Sequence, residues 1–132
     1  MTDHPNEPTA VVDAFIAAIE RSDVTAAVAL LAPDCEYDNV PMGIVHGPEA
    51  VAAILRPMLA GCSEVDWPVL RQSSNGPIVC NERLDRFRMA HGWVEVPVAG
   101  VWEVHDGLIT LWRDYFDETT YRNQLPPRAE GN

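Results

Sequence analysis

The chain has no lysine; its nine basic residues are all Arg. A side-chain amine for Schiff-base chemistry is therefore excluded. Positive charge is scarce altogether, with a formal net charge of −11. Nucleic acid and anionic membranes repel such a surface, so neither is expected as a partner. Cysteine is also sparse. Cys35, Cys62 and Cys80 are odd in number and unclustered, which fits reduced thiols serving as small core residues. No apolar run approaches the roughly 20 residues of a membrane span. Met1-Thr2-Asp3-His4-Pro5 has neither a basic region nor an apolar stretch, so no signal peptide is expected. The expected location is cytoplasmic. There is no G-x-S-x-G elbow and no Gly-rich phosphate loop. His4, His46, His91 and His105 fall in the tail or in turn-like segments and make no metal-ligand spacing. Neither metal nor cofactor is expected.

What is present fits one domain. The chain has 132 residues, of which 47% are hydrophobic, enough for a real core. Residues 1–8 and 126–132 are polar and Pro-rich and are expected to fray, leaving a core over about 9–124. Thr9 is placed to cap a helix over 10–21, with Val12, Phe15, Ile16 and Ile19 on its apolar face. Asp23 is placed to cap a second helix that ends before Pro33. A short strand follows over 35–40. Gly47-Pro48-Glu49 opens a third helix, with Val51, Ile54, Leu55, Met58 and Leu59 apolar and Pro57 as a kink.

Beyond that helix the apolar period changes to two. Strands are expected over 65–72, 78–89, 93–104 and 108–117. Turns are expected at Ser73-Ser74-Asn75-Gly76, Ala90-His91-Gly92 and His105-Asp106-Gly107, the last suited to type I′. Helices followed by an antiparallel meander indicate an α+β domain, with helices on one side of a curved sheet. Such a sheet can curl around a pocket.

Charges break the strand pattern at particular positions. Arg83, Asp85, Phe87 and Met89 share one face; so do Trp112, Asp114 and Phe116. A charge on an apolar face costs several kcal/mol unless it is paired or functional. Two Asp and one Arg meeting in one apolar cavity would make an acid–base site. For Arg83 and Asp85 a structural ion pair is an equal alternative. Tyr37 and Asn39 also share a face and could hold a water or a substrate oxygen. Taken alone, they read more simply as a strand-end Tyr beside a turn-forming Asn.

The combination of Tyr37-x-Asn39, Glu82-Arg83-x-Asp85 and Ile109-Thr110-Leu111-Trp112-Arg113-Asp114-Tyr115-Phe116-Asp117 resembles the limonene epoxide hydrolase family. The order of helices, then sheet, resembles the wider NTF2-like, or SnoaL-like, cone fold. The resemblance covers roughly residues 9–124. It implies N-terminal helices on a curved, mostly antiparallel mixed sheet that encloses a deep pocket. It implies a cofactor-independent enzyme that opens a lipophilic epoxide, terpene-like or small, to a vicinal diol in one step. Asp114 would then be the base and Asp85 the acid. Arg83 would bridge them, and Tyr37 and Asn39 would help position the water. Ile16, Ile19, Phe87, Val96, Val98 and Phe116 would form the pocket walls, and the assembly would be a homodimer.

Chemistry is consistent with that division of labour. Epoxide opening needs a proton on the leaving oxygen and an activated water on the far side of carbon. That calls for one carboxylic acid and one carboxylate. One Arg and one proton shared between two Asp form a neutral cluster, which a dry pocket tolerates best. Two other readings compete. An isomerase or cyclase of the same fold would use an Asp base on a carbon-bound proton. Arg83 counts against it, because a cation weakens the base. A non-catalytic binding module needs no ionic groups on apolar faces.

Overall fold

A computed structural model describes residues 7–126. The elements run α1 (Pro8–Glu20), α2 (Val24–Val28), β1 (Leu31–Asn39), β2 (Gly43–His46), α3 (Pro48–Ala60), β3 (Glu64–Asp66), β4 (Val69–Asn75), β5 (Ile78–Met89), β6 (Gly92–His105), β7 (Leu108–Tyr115) and α4 (Glu118–Arg122). Seven strands form one sheet in the order β2-β1-β7-β6-β5-β3, and β4 pairs with the first part of β5. Pairing is antiparallel except for β1 with β7, which run parallel. The result is the expected α+β architecture, with a mixed, mostly antiparallel sheet.

The N-terminal helices pack on the inner face of this sheet. Val11, Val12, Phe15, Ile16, Ala18 and Ile19 of α1 are buried. They meet β6 and β7, where Phe15 makes edge contacts with Trp102 and Trp112 at 5.6 and 4.9 Å. On α3, Val51, Leu55 and Leu59 are buried, four residues apart on one stripe.

Several local expectations need correction. Helix α1 starts at Pro8, not after Thr9, because Pro fits the first helical turn. Pro8 therefore lies inside the fold; residues 1–6 and 127–132, with most of the expected frayed ends, fall outside the described residues. Helix α2 is capped by Asp23, whose Oδ1 accepts the Ala26 amide at 3.0 Å. It stops at Val28, well before Pro33, because Leu31 already pairs with Ile109 of β7. Pro33 sits where the β1–β7 register shifts, a place that tolerates a missing donor. The expected strand over 65–72 is two strands broken at Trp67-Pro68. Pro68 lacks an N–H, and its carbonyl accepts the Leu84 amide at 3.1 Å. The Trp67 ring is buried, on the same side as Val65 two residues earlier. Strand β4 then runs on through Asn75, so the turn is tighter than expected and uses Gly76 at φ 58. Asp106 and Gly107 have φ 52 and 79, the two positive values of a type I′ turn.

Two elements had no counterpart in the sequence reading. Strand β2 pairs with the end of β1. Helix α4 is capped by Asp117, whose Oδ2 accepts the Thr120 amide at 3.0 Å. Gln124 follows it and binds β6 like a short extra strand. Its Oε1 accepts the Glu95 amide at 2.8 Å and its Nε2 donates to the Glu95 carbonyl at 2.7 Å.

Candidate active site

The inner face of the sheet carries two adjacent rows of side chains. Register sets Tyr37 beside Trp112 and Trp112 beside Trp102, on β1, β7 and β6. The rings stack: Tyr37 on Trp112 at 3.8 Å and Trp112 on Trp102 at 5.4 Å. The next row runs Asn39, Asp114, Gly100, Asn81 across β1, β7, β6 and β5. Arg83 and Asp85 follow Asn81 on the same face of β5. Their alternation with exposed or half-buried neighbours is the strand period itself.

Arg83 is fully buried, and Asp85 and Asp114 are 5% and 3% exposed. The guanidinium donates from Nε to Asp85 Oδ1 at 2.9 Å and from Nη2 to Asp85 Oδ2 at 3.0 Å. The same Nη2 donates to Asp114 Oδ2 at 2.8 Å. Nη1 donates to Asn81 Oδ1 at 3.0 Å. Above and beside the cation lie the faces of Trp67 and Trp102, at 5.1 and 5.6 Å, a favourable cation–π setting. Asp114 Oδ1 is buried and has no donor among the described residues. Such an unspent acceptor is uncommon in a folded interior.

Electrostatics separates the groups. Burial pushes the Asp85 carboxyl up, against the pull of Arg83, and the charges of Asp114 and Glu20 help, so that it lies at about 6. Burial disfavours the Arg83 cation, but the charges and hydrogen bonds of Asp114 and Asp85 outweigh it and hold the guanidinium protonated. Burial also raises the Tyr37 phenol, as does the Asp114 charge, while the Asn39 side chain opposes them. The phenol therefore stays a donor.

Arg83 lies behind the two carboxyl groups and does not border the cavity of about 230 Å³ that they face. Tyr37, Asn39, Asp85 and Asp114 line it, with Phe87, Val96, Val98 and Phe116 as apolar wall. Two expected wall residues are elsewhere: Ile16 and Ile19 are buried in the core under α1 and do not border the cavity. That face of α1 packs on the aromatic row instead. The remaining wall was not anticipated. Met42, Ile54, Met58, Trp67, Met89 and Tyr121 complete it. Ile54 and Met58 were legible as apolar helix positions, but not as facing a cavity.

Asn81, Gly100, Trp67 and Glu20 were also missed. Asn81 had a usable signal, since it lies two residues before Arg83 on the same strand face. Gly100, Trp67 and Glu20 come together only in three dimensions. Glu20 accepts the Trp67 backbone amide at 2.8 Å and so anchors the main chain that carries the ring over Arg83. Among the described residues no three His, Cys, Asp or Glu cluster in a way that could hold a metal. No helix of the described residues is long and apolar enough to cross a membrane.

An arginine clamped between two buried aspartates at the wall of an apolar cone is a constellation suited to acid–base hydrolysis. The sequence model of the limonene-1,2-epoxide hydrolase catalytic domain matches residues 6–126. The chain belongs to the limonene-1,2-epoxide hydrolase family, a family of epoxide hydrolases. It is 38% identical over 106 residues to epoxide hydrolase EphG of Mycobacterium tuberculosis (strain ATCC 25618 / H37Rv), across 80% of this chain and 70% of that protein. A solved LEH-like epoxide hydrolase of M. tuberculosis superposes with a TM-score of 0.77 at 34% identity, over 86% of this chain and 84% of that one. A SnoaL-like protein from Shewanella denitrificans OS-217 superposes with a TM-score of 0.81 at 16% identity, over 89% of this chain and 95% of that one. This last likeness shows the shared fold alone.

Proposed function

We propose that the protein adds water to a lipophilic epoxide in one step, giving a vicinal diol, and that it works as a homodimer. The observation that carries this reading is the sharing of Arg83 Nη2 between Asp85 and Asp114 at the wall of an apolar cavity. One arginine holds two carboxyl groups in fixed relation, and their surroundings make them unequal.

Asp114 is the base. Its Oδ2 is engaged by Arg83, while its Oδ1, buried and without a hydrogen-bond partner among the described residues, has a lone pair left for a proton. Asn39 lies beside it in register, and Tyr37 lines the same cavity. Together they orient a water whose proton passes to Asp114 as its oxygen bonds to an epoxide carbon. The carbon–oxygen bond on the opposite side breaks. Asp85, protonated below about 6, donates its proton to the leaving oxygen. The pair ends with its proton on Asp114 and resets by returning it to Asp85. No covalent bond to protein is needed. Carboxylate-nucleophile hydrolysis requires a His–acid pair to cleave the ester, and none of the described histidines borders the cavity.

The wall supports a lipophilic substrate. Phe87, Val96, Val98 and Phe116 offer no hydrogen bonds, while Met42, Met58 and Met89 are adaptable side chains that accommodate varied apolar shapes. Two measurements test the reading. Small cyclic and aliphatic epoxides should yield diol with this enzyme. In a single turnover in ¹⁸O-water with enzyme in excess, the label should appear in the diol at once. Unlabelled first-turnover diol would show attack by an Asp oxygen and overturn the one-step path.

A further inference from the structure

The carboxylates engage only part of the Arg83 fork. Nη1 points the other way and donates to Asn81 Oδ1 at 3.0 Å. Asn81 is 4% exposed and does not border the cavity. Its Oδ1 also accepts Trp102 Nε1 at 3.2 Å. Arg and Trp are donors only, so the oxygen must face them and the amide nitrogen must face away. That nitrogen donates to Gln72 Oε1 at 3.0 Å, and Gln72 Nε2 donates to Asp13 Oδ1 at 3.1 Å. The chain has one possible direction, because it begins on a cation and ends on a carboxylate.

Gly100 makes the arrangement possible. A Cβ there would lie 2.5 Å from Arg83 Nη1, 2.8 Å from Asn81 Oδ1 and 3.0 Å from Asp114 Oδ1. The guanidinium therefore fills the gap that a missing side chain leaves in the row Asp114, Gly100, Asn81.

We propose that Asn81, oriented by Gln72, is a positioning residue that sets the angle of the Arg83 fork so that Nη2 reaches both carboxylates at once. Without an acceptor at Nη1, buried N–H groups are left unpaired, which a dry interior penalises. The guanidinium relieves that cost by turning Nη1 toward a carboxylate. The turn breaks the fork to Asp85 and changes the distance between acid and base. Misplacement by about 1 Å is enough to lower a rate roughly 10²-fold.

The kinetic part of this inference rests on the epoxide-hydrolase reading; the geometric part does not. Two readouts separate them for Asn81→Ala, Asn81→Asp and Gln72→Leu. The first is the pH midpoint of the Asp85 carboxyl carbon, followed by ¹³C NMR without substrate. The second is kcat and KM on an epoxide that the native enzyme turns over, such as cyclohexene oxide. Asn81→Ala should move the midpoint and lower kcat about tenfold or more with KM nearly unchanged. Asn81→Asp, which keeps an acceptor for Nη1 and Trp102, should recover part of that kcat. Gln72→Leu, at a half-buried position, should act in the same direction but less. If Asn81→Ala does not fold, Gln72→Leu decides. Folded variants with unmoved midpoint and kcat overturn the proposal. A moved midpoint in a protein that opens no epoxide would sink the catalytic reading and leave the positioning role standing.

Discussion

Two aspartates bound to one arginine can take different roles only if their surroundings differ. Asp85 meets the guanidinium with both oxygens and is raised by burial to about 6; Asp114 meets it with one, and its other oxygen has no partner among the described residues. Asp85→Asn and Asp114→Asn should each lower kcat by ~10²–10⁴-fold, because Asn keeps the shape but cannot carry the proton. A folded mutant retaining more than about a tenth of native activity would contradict that range. Arg83→Lys should fail nearly as badly as Arg83→Ala, since an ammonium cannot present a planar fork to two carboxylates. A pH profile adds a separate check. kcat/KM should fall as pH rises through about 6, where Asp85 loses its proton. For stability the sign follows from a folded-state value raised above 3.8. The contribution of Asp85 is fully present below about pH 4 and is lost as pH rises through about 6. The unfolding free energy of Asp85→Asn, relative to the native protein, should therefore increase over that window. The rise should be on the order of 1–3 kcal/mol. A flat difference across urea titrations from pH 4 to 8 would show that Asp85 is not raised.

At the scale of elements, the cavity depends on how its rim is fastened. Phe116 and Tyr121 line it from the segment around α4, and their rings meet at 6.4 Å. Gln124 ties that segment to the backbone of Glu95. Gln124→Ala should raise KM for a bulky epoxide several-fold with a smaller effect on kcat, because the rim loosens while the cluster on β5 and β7 stays put. Equal KM for variant and native enzyme would remove Gln124 from substrate retention. Rim and floor differed in how far the sequence revealed them. The floor was legible because Arg83, Asp85 and Asp114 interrupt period-two apolar strands, and a buried charge demands a partner. The Asp106-Gly107 turn was legible because type I′ geometry favours those residues. Helix α4 was not: five residues are too few for an apolar period, and Gln124 acts through tertiary contacts. Ile16 and Ile19 were placed on the apolar face of α1, correctly, but the period cannot say whether that face meets core or cavity. Asn81 was legible in principle from its spacing to Arg83. Its role depends on Gln72, Trp102 and Gly100, which only the sheet register brings together.

At the scale of the whole molecule, the sheet has a second face. While Arg83, Asp85, Val96, Val98 and Asp114 point inward, the alternate residues Leu84, Pro97, Ala99, Val101 and Tyr115 point outward. Leu84 pairs with Pro97, and Ala99 with Tyr115, so they form one apolar area across β5, β6 and β7. Tyr115 is 46% exposed. A row of ion pairs borders it, with Arg113 donating to Asp38 at 2.9 Å and to Glu36 at 2.8 Å. An apolar centre with a charged rim is the layout of a protein interface. A two-fold axis lets one such patch cover its own copy. Burial there would also brace the strands that carry Arg83 and Asp114 from behind. Sedimentation at micromolar concentration should therefore give a species of twice the 14.6 kDa chain mass. Tyr115→Arg, which sets like charges face to face across the axis, should shift it toward monomer. Activity should fall together with dimer on dilution, since the outer face supports the inner one. A dilute monomer with full activity would show that the cluster needs no support from a partner.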